Sequence, residues 1–388
     1  MPAPRDHTDR GPRDRRERAR HDRRAQSIVL VLALAFGFIA AALGTRPEQQ
    51  ARALAHPTTT TAAPKPTAAR TVLLAHVGAQ RRLDLLAVAG IDAGGKVGTL
   101  VFLPTTTLVQ VPAFDTQALG DVSRFGPAAL LGNTVANALG LHFDEVVEMN
   151  TKRLTALLAP AGRLSVRFGR NVQVDDSAGT LAFTRGKARI SAADATRLLI
   201  GKDTAGSLEH LVTVQAVLEG WFARLRSDSV AGATARVSTQ ARSLLAIAHA
   251  EISFDTLPVD VLSSGSVTRY ELRQPDADKL LRADFPYAML TTGKRPRVEV
   301  LNGTGAIALT QAIARRVVPA GGEITLTGNV PGFGVKHTQV VYYRLRDLPA
   351  ARRLVAALGV GSVAQGNVAL DVVDLTVVVG SDFHPTRT

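Results

Sequence analysis

The chain predicts an α/β protein with one transmembrane helix near its N-terminus, a mixed sheet with flanking helices, and a small α+β domain at its end. Three observations predict this. Residues 27–44, SIVLVLALAFGFIAAALG, form an uncharged apolar run. Between residues 70 and 283, short β-branched runs alternate with amphipathic helical patterns. From 297 to 383 the runs follow the order β-α-β-β-α-β, a split βαβ arrangement.

At roughly 1.5 Å per residue, the apolar run is just long enough to cross a bilayer core as a helix. Residues 5–24 before it carry nine Arg against five acidic residues, and a basic flank ahead of a first span keeps that side cytoplasmic. The spacer after it, ARALAHPTTTTAAPKPTAA, is too rich in Pro, Thr and Ala to bury a core. The expectation is a basic cytoplasmic tail (1–26), an anchor (27–44), a spacer (45–69), and two exterior domains at 70–283 and 297–383. A cleaved signal peptide is the alternative, since AALG at 41–44 offers small residues. Signal cores are usually shorter and begin earlier.

Net charge is +13, of which residues 5–24 supply +4, so the remainder is itself basic at +9. An exterior basic domain favours anionic partners such as phosphorylated polymers, anionic lipid or acidic glycan. Nucleic acid is not expected, because the topology is wrong and one Trp among 5% aromatics leaves few stacking platforms. The absence of cysteine excludes disulfides, thiolate metal sites and a Cys nucleophile. Nine scattered His give no zinc-type pair at helical spacing.

Strands are expected at 71–77, 85–91 and 97–103, with a hairpin-type turn at Asp92-Ala93-Gly94-Gly95. Pro127 opens a helix closed by Gly140. A strand at 144–149 precedes a helix at 152–159 stopped by Pro160, and two strands at 163–168 and 172–174 flank a turn at Gly169. Ser191 and Asp194 form a capping box for a helix through Leu199. Ser207 opens a longer helix whose Leu208, Leu211, Leu218, Trp221, Phe222 and Leu225 share one side. Further expectations are a helix at 237–250, a strand at 267–273, a short helix at 276–283 and a linker at 284–296.

Two motifs invite chemistry. Asn302-Gly303-Thr304-Gly305-Ala306-Ile307-Ala308 has the GxGxxA form, with Glu323 twenty residues after Gly303, where a dinucleotide site holds a ribose. About 85 residues in this order cannot supply a full doubly wound sheet, so a tight strand-to-helix turn is the better reading. Arg82 and Asp84 stand two apart at a strand start and are expected on one face, the carboxylate for a divalent ion and the guanidinium for phosphate.

The stretches RLDLLAVAGID, GKVGTLVFLPTTTLVQVP and TVANALGLHFDEVVEM resemble the extracellular domain of the LytR-CpsA-Psr family. VEVLNGTGAIALTQAIARRV, VVYYR and LTVVVGSDF resemble the LytR C-terminal domain that often follows it. The resemblance implies a single-pass cell-membrane protein with its main domains outside. It also implies transfer of glycopolymer from a polyprenyl pyrophosphate carrier to peptidoglycan, aided by Mg2+ or Mn2+ and an arginine cluster.

Against the family's R-S-D-T stand Arg82, Leu83, Asp84 and Leu85, so the phosphate-binding Arg and the metal-binding Asp survive. The family's P-R-D is Pro104-Thr105-Thr106 here. Its Y-V-R-x-R stretch falls on Leu198 to Lys202, leaving Lys202 as its one cation, and its R-x-x-R-Q leaves Gln215 without the arginines. The early G-x-D is Gly78-Ala79-Gln80. Arg185, Lys187, Arg189 and Arg197 are the nearby cations that would have to substitute, although such residues are ordinarily solvated.

Three functions compete: an active phosphotransferase, a catalytically weakened relative that binds lipid-linked polymer, peptidoglycan or an active paralogue, and a docking protein working through its last domain. The second is favoured. It carries a structural expectation, an apolar tunnel lined by the 207–226 helix.

Overall fold

The computed structural model describes residues 70–237, 241–263, 267–306, 309–367 and 371–385. The basic tail, the apolar run and the spacer lie outside the described residues. Among the described residues no helix is long and apolar enough to cross a membrane.

The first domain is built on strands β1 (Arg70–Val77), β2 (Leu83–Ile91) and β3 (Val97–Phe102). They form an antiparallel meander, and its β2–β3 turn is closed by Asp92, whose carboxylate accepts the Lys96 and Val97 amides at 2.8 and 3.0 Å. A small ribbon, β4 (Leu108–Val111) and β5 (Asp115–Ala118), leads to the one-turn helix α1 (Val122–Phe125) and to α2 (Ala128–Leu139). Gly140 ends α2 in the left-handed region at φ 67°, where glycine pays no Cβ penalty. Strand β6 (Glu145–Met149) runs parallel to β1, and α3 (Thr151–Leu158) follows it.

Next come β7 (Leu164–Phe168), β8 (Val172–Asp176), β9 (Gly179–Phe183) and β10 (Gly186–Ile190). The two strands expected around Gly169 are present, but they do not pair with each other. β7 pairs with β10, while β8 pairs with β9 and with the two-residue β11 (Lys202–Asp203). Strands β9 and β10 carry little sequence signal because they are largely exposed and lack a continuous apolar face, yet they supply the partners.

Helix α4 (Ala192–Ile200) carries the expected capping box, with both Ser191–Asp194 hydrogen bonds present. Helix α5 (Ser207–Leu225) buries Leu211, Leu218, Trp221, Phe222 and Leu225, as its 3/4 spacing requires. Of the expected helix at 237–250 the structure describes α7 (Ala241–Ala248), and it is preceded by a helix the sequence did not signal, α6 (Asp228–Val237). Strand β12 (Glu251–Thr256) then joins the sheet edge parallel to β3. Central strand order is β12-β3-β2-β1-β6. A hairpin, β13 (Val259–Ser263) with β14 (Arg269–Leu272), and helix α8 (Gln274–Asp284) close the domain.

Helices cover both faces of this sheet, which is why β1 and β2 read as unbroken apolar runs. Val72, Leu74, Leu85 and Ala87 pack on the α3, α4, α5 and α7 side. Leu73, Ala75, Leu86 and Val88 pack on the α2 and α8 side.

The connection at 284–296 is packed down: Phe285 and Ala288 are buried in the first domain's core, and Leu141 bridges Met289. The last domain contains β15 (Arg297–Asn302), α9 (Leu309–Val317), β16 (Glu323–Asn329), β17 (Gln339–Tyr342), α10 (Leu348–Leu358), β18 (Ser362–Gln365) and β19 (Leu375–Val379). Its order β16-β15-β19-β17-β18 contains the expected elements plus β18, a short edge strand whose side chains are exposed or half-buried.

Candidate functional site

The Arg82–Asp84 pair sits where β1 meets β2, and a β-bulge decides its geometry. His76 opposes Leu85, but Val77 opposes Leu83, leaving Asp84 as an extra residue without a cross-strand partner. The bulge switches the faces: Leu83 packs on the α2 side, Leu85 on the opposite side. Freed from the ladder, the Asp84 carboxylate turns to His76, with Oδ2 3.0 Å from Nδ1. His76 is buried, and its Nε2 lies 3.2 Å from the Thr151 hydroxyl at the start of α3. The result is a hydrogen-bonded chain of Asp84, His76 and Thr151.

The approach to β2 fits closely around this carboxylate. A Cβ on Gly78 would stand 2.0 Å from Asp84 Oδ2. Gln80 and Arg81, the next turn, both hold positive φ at 55° and 57°, an uncommon conformation for residues with side chains. Arg81 anchors that turn by donating from Nε to the Ser123 carbonyl at 2.7 Å and from Nη2 to the Gly126 carbonyl.

Arg82 precedes the strand and does not share a face with Asp84. Its Nε instead pairs with Asp121 at 3.2 Å, and Arg124 reaches the same carboxylate at 3.4 Å. Lys202 lies exposed in β11. Gln215 lies on α5, donating from Nε2 to Glu219 at 2.8 Å, and lines a separate cleft of about 170 Å³ with Arg167 and Arg170. Neither Lys202 nor Gln215 is joined to Asp84 by a hydrogen bond or ion pair. Among the reserve cations, Arg197 is committed to Asp176, and this pairing holds the Asp176 carboxyl below its ordinary range.

An apolar cavity of about 40 Å³ lies beneath the sheet beside His76, lined by Leu74, Leu85, Leu218, Trp221 and Phe222. It occupies the place expected of a tunnel along α5. At ~10–15 Å³ per water-sized body, however, it has room for only about three. The Trp221 indole N–H is buried without a hydrogen-bond partner. Nearby, burial lowers the pKa of His210, whose Nε2 faces the Leu199 carbonyl at 3.2 Å.

As donors for a cation, these residues are sparse. Asp84 can offer its Oδ1, and no group of three or more His, Asp or Glu suited to a metal occurs among the described residues. Mg2+ is commonly held by one or two carboxylates together with substrate phosphates, so one Asp84 oxygen can serve only with a bound diphosphate.

Asp84 was legible from its spacing; His76, Thr151 and Asp121 were not. The available signal was a histidine inside the apolar run TVLLAHV, eight residues before Asp84.

In the last domain the GxGxxA turn is structural. Asn302 Oδ1 accepts the amides of Thr304 and Gly305 at 3.0 and 3.1 Å, so these two backbone donors are already engaged within the turn. Glu323 faces Arg295 at 3.6 Å and not a ribose position.

This second domain is a LytR C-terminal domain. Residues 295–383 match the family model described as LytR cell envelope-related transcriptional attenuator. Solved structures similar to the chain include TagV of B. subtilis, at 15% identity and TM-score 0.47, covering 57% of this chain and 98% of that one. A LytR-Csp2A-Psr enzyme from Actinomyces oris matches at 15% identity and TM-score 0.46, covering 58% and 91% respectively. TagT, a B. subtilis protein, matches in its structure bound to LIIa-WTA at 17% identity and TM-score 0.47, covering 61% and 98%. No curated protein matches the sequence.

Proposed function

We propose that this chain is a cell-envelope protein of the LytR-CpsA-Psr type, held in the cell membrane by residues 27–44 with its N-terminus cytoplasmic. It binds lipid-linked glycopolymer on a polyprenyl pyrophosphate carrier, or peptidoglycan, with weakened or lost catalysis. The observation that carries this reading is the charge balance beside the cavity. Asp84 is engaged by His76, and the one matching guanidinium, Arg82, is already compensated by Asp121. A single preorganised donor at such a centre is worth about 3–4 kcal/mol of transition-state stabilisation, so the missing arginines remove most of the driving force. The short apolar cavity supports lodging the start of a lipid chain; a longer chain requires the α5 side chains to move.

A second reading, an active phosphotransferase using Mg2+ or Mn2+, is favoured by one feature. Arg81, Arg82 and Arg124 all attach to the 121–126 segment beside β2, so their charge is local even though partly compensated. The two readings separate in one experiment. The full chain, purified in detergent, is incubated with a short prenyl pyrophosphate and Mg2+ or Mn2+, and its own lipids are identified by mass spectrometry. The binding reading expects copurified carrier lipid and phosphate release no greater than that of Asp84→Ala. Turnover that Asp84→Ala abolishes establishes the enzyme instead.

A further inference from the structure

The two-stranded ribbon of β7 and β10 carries a charge pattern that the site around Asp84 does not explain. In its register Arg167 stands directly opposite Lys187, and Arg189 stands opposite Ser165, diagonal to Arg167. All four side chains are exposed, whereas Val166, Phe168 and Ile190 are buried. Arg163 and Arg185, also exposed, flank the two strands. Like charges placed directly across a strand pair destabilise it, so the arrangement works against the fold that carries it.

Neighbouring cations are treated differently. Arg170 is tied to Asp203, and Arg197 to Asp176. The side chains of Arg163, Arg167, Arg185, Lys187 and Arg189 make no ion pair or hydrogen bond among the described residues. Their charge is unspent and faces outward.

We propose that the outer face of this ribbon is a docking track for a phosphodiester-linked polyanionic glycan. Cations two apart on a strand repeat at roughly 6.6–6.8 Å, a linear array suited to a chain with regularly spaced phosphates. Arg167 also lines the cleft of about 170 Å³ that contains Gln215 and Glu219, whose amide and carboxylate suit sugar hydroxyls at the end of the track. An anionic membrane is the poorer occupant. Interfacial binding draws on buried apolar area as well as charge, and among the described residues none of the exposed large hydrophobic residues lies on β7 or β10.

The inference rests on the reading that the partner is a glycopolymer and adds that the polymer is polyanionic, but it needs neither the cavity nor the carrier lipid. The test uses the full chain in neutral detergent and two probes: synthetic poly(glycerol phosphate) of defined length, and mixed micelles containing phosphatidylglycerol. The variant Arg167→Gln/Lys187→Gln/Arg189→Gln is expected to bind the polymer at least tenfold more weakly, with a shallower dependence on salt, and to bind the micelles as before. Lys187→Glu, which converts the repulsive pair to an attractive one, is expected to raise Tm while weakening the polymer. A change in polymer affinity below twofold in both variants overturns the proposal. So does a loss confined to the micelles, which would assign the face to the membrane. Because the polymer carries no lipid, failure of lipid copurification leaves this result untouched, and failure here leaves the cavity reading untouched.

Discussion

Asn137 and Ile324 are 187 residues apart in sequence and paired like neighbouring strands. The Asn137 side-chain Nδ2 donates to the Ile324 carbonyl at 2.8 Å, and its Oδ1 accepts the Ile324 amide at 2.8 Å. Helix α2 of the first domain thereby caps the open edge of β16 in the second. Arg295, buried at the same seam, donates to the Asn137 carbonyl at 2.7 Å and faces Glu323. The two domains are therefore docked through satisfied polar groups in addition to the apolar contact of Ala136 and Leu290.

Replacing Asn137 with Ala leaves a buried amide and a buried carbonyl without partners. At about 1–3 kcal/mol for each stranded group, partly relieved by entering water, a loss of about 2–4 kcal/mol is expected. Thermal or urea unfolding of the full chain measures it, and faster proteolysis between 284 and 296 should accompany it. A loss under 0.5 kcal/mol would mean the seam does not hold the domains together.

Gly78→Ala addresses the bulge. The added Cβ would overlap the Asp84 carboxylate, which must rotate away and release His76. His76 would then be buried with Nδ1 unpaired, a cost of about 1–3 kcal/mol. Nitrogen-15 NMR of the imidazole should report loss of the hydrogen bond, and an unchanged Nδ1 signal would show that the carboxylate had room to spare.

Glu299, on β15, is mostly buried and accepts the Thr376 hydroxyl at 2.9 Å. Burial pushes its carboxyl above the ordinary value. The folded state thus holds its proton more tightly than the unfolded chain does, so stability is present at low pH and falls as pH rises through the raised pKa. Glu299→Gln should be neutral near pH 4 and stabilising at pH 7–8. Parallel melting curves at the two pH values test the sign; a variant less stable at pH 8 than the parent contradicts it.

Much of the architecture was legible because burial on both faces writes itself as uninterrupted apolar sequence in β1 to β3. Caps were legible because Ser191, Asp194 and Gly140 act through local hydrogen bonds or backbone freedom. Strands β9, β10 and β18 were not, since partly exposed ribbons carry little hydrophobic period. The site was half legible for a related reason. Spacing could place Arg82 and Asp84 together on an ideal strand, but a bulge is a property of the pair of strands, and it sends Asp84 to His76 and leaves Arg82 to Asp121.

The cavity beside His76 yields the last prediction. Ala87 lines it from β2, where a β-branched residue fits the backbone. Ala87→Val adds two carbons to the space of about 40 Å³. At ≈ 0.8 kcal/mol per buried methylene, less any packing strain, the variant should gain about 1 kcal/mol. It should also block apolar occupants. Trp221 lines the same space, so its fluorescence is the readout: farnesol should perturb it in the parent and not in Ala87→Val. If the variant is destabilised by more than about 1 kcal/mol, the lining has already closed on itself and the pocket is not a place where a prenyl chain begins. If it is stabilised yet the farnesol response persists, the lipid enters elsewhere along α5.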